Sequence, residues 1–165
     1  STTAYEIKSE KDNTYRLYEQ LNCYSKTFDY TYVVCHIKHL EAVYKIANLG
    51  IGIITETSPR RFKIIRKATK NLSLSPLSLL TLFSRVELQQ FCNKKLDKTI
   101  PLEMLRKQLS PEINLANLKK YFRNTLFNRY KILTERFLRE IEKDSIHPDD
   151  LLTLSRSANI EQSIW

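Results

Sequence analysis

Glycine is nearly missing from these 165 residues, with Gly50 and Gly52 the only two, so no glycine-rich phosphate loop can be built. A nucleophile elbow and an HExxH helix are also absent. Cys23, Cys35 and Cys92 are an odd number without CxxC spacing, which argues against a disulfide framework and a structural zinc site. A reducing, cytoplasmic setting is the simpler expectation. No run approaches about eighteen apolar residues, and the opening STTAYEIKSEKDN lacks the apolar core of a signal peptide. The chain is therefore expected to be soluble, with no membrane partner. Met104 is the one methionine, which leaves the native start open between a removed Met before Ser1 and a segment further upstream.

What is abundant is positive charge. Twenty-seven Lys and Arg against 18 Asp and Glu give a formal charge of +9 and a pI near 9.5, a balance suited to a polyanionic partner such as nucleic acid. A hydrophobic content of 42% fits a globular chain with a real core.

Hydrophobic period then assigns elements. Residues 3 to 8, TAYEIK, alternate, with Tyr5 and Ile7 on one side and Ala4, Glu6 and Lys8 on the other, the pattern of a half-buried strand. Leu17, Leu21, Tyr24 and Phe28 mark an amphipathic helix from about Asn13 to Phe28 with Asp12 or Asn13 as its cap. YTYVVC at 30 to 35 has almost no polarity and reads as a central strand buried on both faces. A short helix from about Leu40 to Ala47, a strand at 51 to 55 and a hairpin partner at 61 to 66 follow. From Pro76 onward the pattern is helical, including segments at 101 to 108, 115 to 130, 133 to 143 and 148 to 157. The expected class is α/β, a mixed sheet flanked by helices and followed by a helical C-terminal region. A composition change near residue 95 places a soft boundary between a 1–95 core and a 96–165 helical extension.

Residues two apart on a strand face the same way, so Glu6 and Lys8 project together ahead of a helix carrying Gln20 and Tyr24 at i,i+4 spacing. A carboxylate can hold Mg²⁺, an adjacent ammonium can steer an attacking water, and the Ile7 carbonyl can add an oxygen ligand. A solvated charge pair on a strand is the plainer reading of one Glu-x-Lys. The run YEIKSEKDNTYRLYEQLNCYSKTFDYTYVVCHIKHL, followed by GIGIIT, resembles the PD-(D/E)XK nuclease superfamily, in particular an uncharacterised bacterial nuclease-like group within it, over about residues 4 to 90. That resemblance implies a restriction-endonuclease-like sheet and an Mg²⁺- or Mn²⁺-dependent hydrolase. Glu6 would be the metal ligand together with Ile7, Lys8 the catalytic lysine, Gln20 a further active-site residue and Tyr24 the support of its helix. It also implies a second acidic ligand on a preceding strand, which the five residues before Glu6 cannot supply. Either residues precede Ser1 in the natural protein, or the protein is metal-deficient. The expected function is accordingly an Mg²⁺-dependent nuclease acting on nucleic acid, with DNA ahead of RNA, and its competitor is a catalytically inactive nuclease-fold module for nucleic-acid binding or protein interaction.

No acid occurs from Thr57 to Val86, whereas Arg60, Arg61, Lys63, Arg66 and Lys67 crowd one hairpin. These five are the candidate phosphate contacts, with a merely solubilising hairpin as the alternative. The basic and aromatic residues of the C-terminal region, such as Lys119, Arg123, Phe127 and Tyr130, fit helices facing a core, a protein partner or a second copy, with stacking of some of the aromatics on bases as the alternative. His36 and His39 lack a third ligand at a recognisable spacing and are read as the start of a helix.

Overall fold

The computed structural model describes residues 1–58 and 61–140. Arg60, the expected helix at 148 to 157 and the end of the segment at 133 to 143 lie outside the described residues. Four strands form one mixed sheet in the order β1 (Thr3–Lys8), β2 (Tyr30–His36), β3 (Gly52–Ser58), β4 (Arg61–Arg66). The first three pair in parallel, and β4 returns antiparallel beside β3. The connections are α1 (Leu17–Ser25) and α2 (Leu40–Ile46), the latter entered through a 3₁₀ turn at Ile37–His39. His36 caps that turn, its Nδ1 accepting from the Lys38 N–H at 3.3 Å.

A parallel β-α-β crossover is right-handed in nearly all cases, so two that step the same way across a sheet set both helices on the same face. One core follows from this. Leu17 and Leu21 of α1 and Val43 of α2, with Ala47 just past its end, pack with Val33, Cys35 and Ile53 of the sheet. Each fully buried aliphatic side chain of this kind contributes about 1.5–3 kcal/mol. The opposite face has no such cover. β2 therefore differs from the expected two-sided burial: Thr31, Val33 and Cys35 are buried, whereas Tyr30, Tyr32 and Val34 are half-covered.

Helix α1 is shorter than its apolar stripe because the polar residues before it form turns of their own. The Asp12 carboxylate accepts from Ser9 N–H and Oγ at 2.7 Å each, and those bonds hold its pKa below the ordinary value. Asn13 accepts from the Tyr15 N–H, so neither caps the helix, which starts after Arg16 without a side-chain cap. At the other end Asn71 Nδ2 donates to the carbonyls of Ser25 and Phe28, closing α1 against the segment that follows β4.

Beyond the sheet, α3 (Pro76–Leu80) and α4 (Arg85–Cys92) are separated by Ser84. Ser84 and Glu87 form a reciprocal capping box that starts a new helix there. α5 (Leu102–Leu109) follows, and this helical part of the chain contributes buried Leu79, Leu80, Phe83, Leu88, Leu105 and Leu109. α6 runs unbroken over Leu115–Glu140. The expected break after Tyr130 is missing because Lys131 and Ile132 offer no helix breaker. The expected class, a mixed α/β sheet with packed helices and a helical C-terminal region, holds. The chain divides into two compact units, Ser1–Leu118 and a second beginning at Lys119. Among the described residues no helix is long and apolar enough to cross a membrane.

Gly52 is sterically required. A Cβ there would collide with the Tyr32 ring and lie 2.8 Å from the Ala68 backbone nitrogen. Gly52→Ala is expected to cost ~1–3 kcal/mol of stability, as overpacking against backbone does, measurable as a lowered urea midpoint at unchanged slope.

Candidate functional site

The alternation of β1 holds, but the buried side is the polar one. Ala4, Glu6 and Lys8 turn toward α1, whereas Tyr5 and Ile7 turn outward. Glu6 and Lys8 keep only 8% and 9% of their surface exposed, which is rare for such residues unless they are paired. They are paired. Lys8 Nζ lies 2.9 Å from Glu6 Oε1 and donates to Gln20 Oε1 at 3.0 Å. Tyr24 Oη donates to the other carboxylate oxygen, Glu6 Oε2, at 3.1 Å. The i,i+4 spacing of Gln20 and Tyr24 on α1 sets both over the strand, so the structure does assemble the four residues singled out in the sequence.

The arrangement is a closed polar network. Both Glu6 oxygens and the Lys8 ammonium have partners, which is what a buried ion pair requires to offset its desolvation. Burial and the bond to Glu6 push the Tyr24 phenol above its ordinary pKa. As a seat for Mg²⁺ the donor set fits poorly: a hard cation takes several oxygen ligands, and here one carboxylate is already neutralised by an ammonium. Among the described residues no group of three His, Cys, Asp or Glu is placed to hold a metal. Ile7 directs its side chain to the far face, where it is 67% exposed. His39, which the sequence did not connect to this region, lies beside it. It is buried, and its Nε2 is 3.1 Å from the Ser9 carbonyl.

The basic hairpin separates into two groups. Arg61, Lys63 and Lys67 are exposed. Arg66 is turned back into the fold, donating to the carbonyls of Ile51, Ala47 and Asn48 at 2.8, 3.0 and 2.8 Å and lying over the Tyr44 ring. It caps the C-terminal end of α2, where a cation is favoured. Residue type alone gives no signal for that difference. The cysteines also diverge: Cys35 is buried, which raises its thiol pKa, whereas Cys23 is exposed.

Removing one member of the buried pair should cost more than removing both. Lys8→Met is expected to lose ~3–5 kcal/mol by stranding the Glu6 charge, and the Glu6→Gln/Lys8→Met double variant to recover much of that loss. Denaturant melts of the three proteins check it. Tyr24→Phe should cost ~0.5–1.5 kcal/mol near neutrality. Because the folded phenol has the higher pKa, its contribution is complete below the unfolded tyrosine value of about 10. It is lost as pH rises through the folded value, so the gap between wild type and Tyr24→Phe should narrow in alkaline melts.

A family model for bacteriophage P4 protein cII matches residues 1–155. Among curated proteins, Protein cII of Enterobacteria phage P4 is 27% identical over 171 residues, an alignment covering 99% of this chain and 64% of the relative. The chain thus spans less than two thirds of that relative's length. No solved structure matches. These matches overturn the expected membership of the PD-(D/E)XK superfamily and of its bacterial nuclease-like group. The Mg²⁺-dependent nuclease and the inactive nuclease-fold module fall with it. The physical reason is that Glu-x-Lys before Gln-xxx-Tyr is equally the signature of four side chains that satisfy one another inside a fold. By a match over nearly its whole length, the chain belongs to the bacteriophage P4 protein cII family.

Proposed function

We propose that this protein binds nucleic acid, DNA first, through phosphate contacts from β4 and the segment behind it. The observation that carries the reading is the acid-free stretch from Thr57 to Val86, in which Arg61, Lys63 and Lys67 all stand exposed. Cations concentrated without intervening carboxylates retain their field at a few ångströms, where a phosphate backbone exchanges its condensed counterions for them. Arg66 has no part in this, since three carbonyls occupy its guanidinium. The overall +9 charge adds long-range attraction. Three free cysteines are in keeping with a reducing compartment such as the cytoplasm. A second contact, with a protein partner or another copy, is supported by the exposed Phe127, Ile132 and Leu138 of α6.

Neutralising Arg61, Lys63 and Lys67 to Gln is expected to weaken binding and to flatten the dependence of log affinity on log salt by ~0.7–0.9 for each phosphate no longer neutralised. The Arg66→Gln variant should instead lower thermal stability. Fluorescence anisotropy across a salt series, alongside melts, separates the two; affinity and slope unchanged in the triple variant would reject the reading.

A further inference from the structure

The uncovered face of the sheet is unusual for what it exposes. Strand register aligns Ile7, Val34, Ile54 and Ile64 in one row across all four strands. Beside that row Tyr5 stacks on Tyr32 with ring centroids 5.6 Å apart and planes 16° apart. Tyr32 in turn lies over Gly52, whose missing side chain leaves room for the ring. Phe62 stands opposite Glu56, among the described residues the one carboxylate on this face of the strands. Tyr5 is 57% and Phe62 61% exposed. Rings held on a sheet at such exposure give up burial that the core face provides in full.

We propose that this face is a stacking platform for single-stranded nucleic acid, with Tyr5 and Phe62 taking bases on their ring faces and the aliphatic row lying under the sugars. The inference rests on the nucleic-acid reading above and specifies its strandedness. Charge selects the occupant. Arg61 and Lys63 flank Phe62 along the same edge strand and both are exposed; alternation turns their stems to the other side of the strand, with Lys63 beside Thr55, so an anionic strand laid across the rings meets their charged ends where it passes over the sheet edge. A second copy docked face to face would bring a second set of these cations toward the first, and an edge strand that carries cations and no acid favours a polyanion over a neutral apolar partner. Strandedness follows from the rings. Bases within a duplex already stack on one another and offer no free π-face, whereas unpaired bases stack on aromatic side chains with little regard to sequence.

Anisotropy with matched short single-stranded and duplex oligonucleotides, DNA and RNA, tests this on wild type, Tyr5→Ala, Phe62→Ala, Tyr5→Phe and Phe62→Leu. Single strands should bind more tightly than duplexes. Each alanine variant should lose roughly 5- to 150-fold in single-strand affinity, the range that removing one stacked ring produces, while duplex binding changes little. Tyr5→Phe should bind like wild type because the ring remains, and Phe62→Leu should behave like Phe62→Ala because apolar volume without a π-face is not enough. The leucine variant keeps the test valid if an alanine variant misfolds. Unchanged single-strand affinity in Tyr5→Ala and Phe62→Leu, with binding still weakened in the Arg61, Lys63 and Lys67 variant, overturns the platform and leaves the phosphate reading standing. A drop in sedimenting mass on removing these rings, at unchanged affinity, overturns it in favour of an interface between copies. No binding to any nucleic acid overturns both readings.

Discussion

The rest of the molecule depends on two successive crossovers that move in one direction across the sheet. Because both β-α-β connections step from β1 to β2 to β3, α1 and α2 share a single face and a single core. Had the chain reversed direction after β2, one helix would have covered each face. The hairpin strand β4 extends the sheet without adding a helix. Everything distinctive about the surface, from the exposed tyrosine and isoleucine of β1 to the exposed Phe62 and Ile64 of β4, follows from that one-sided cover.

The same constraint explains the buried ion pair. Among the described residues β1 is an edge strand, and an edge strand of purely apolar inward pattern is free to add another chain. Inward charges are one way an edge resists that pairing. Glu6 and Lys8, completed by Gln20 and Tyr24 from α1, tie the helix to the edge in one register. Net stabilisation from such a network is modest, since desolvation offsets most of the attraction. Its consequence is geometric: a slip of the strand by one residue would leave a charge unpaired and put Tyr5 or Ile7 inside.

Charge elsewhere is divided by task. Arg66, and likewise Arg85 with bonds to the carbonyls of Asp97 and Ile100, hold chain segments together through backbone oxygens. Arg61, Lys63 and Lys67 remain on the surface. The excess of cations therefore overstates the charge available to a partner, and binding strength must be read from the exposed group.

Much of the architecture was legible in the residues themselves. Period-two alternation in TAYEIK, the β-branched run YTYVVC and the RFKIIR hairpin arm located the strands, because side-chain period is a local property. Placing Glu6, Lys8, Gln20 and Tyr24 in one cluster was also within reach, since strand and helix periods fix which side chains share a face. What those side chains do there was not legible. A carboxylate beside a lysine has the same sequence pattern whether it meets a metal, a solvent shell or its neighbour's ammonium, and the bonds from Gln20 and Tyr24 became visible only with α1 packed over β1. The inversion of β1, polar side in and apolar side out, had the same origin. Alternation defines two faces without ranking them, and burial is awarded by whichever face the helices cover, a choice made by the direction in which the chain crosses the sheet.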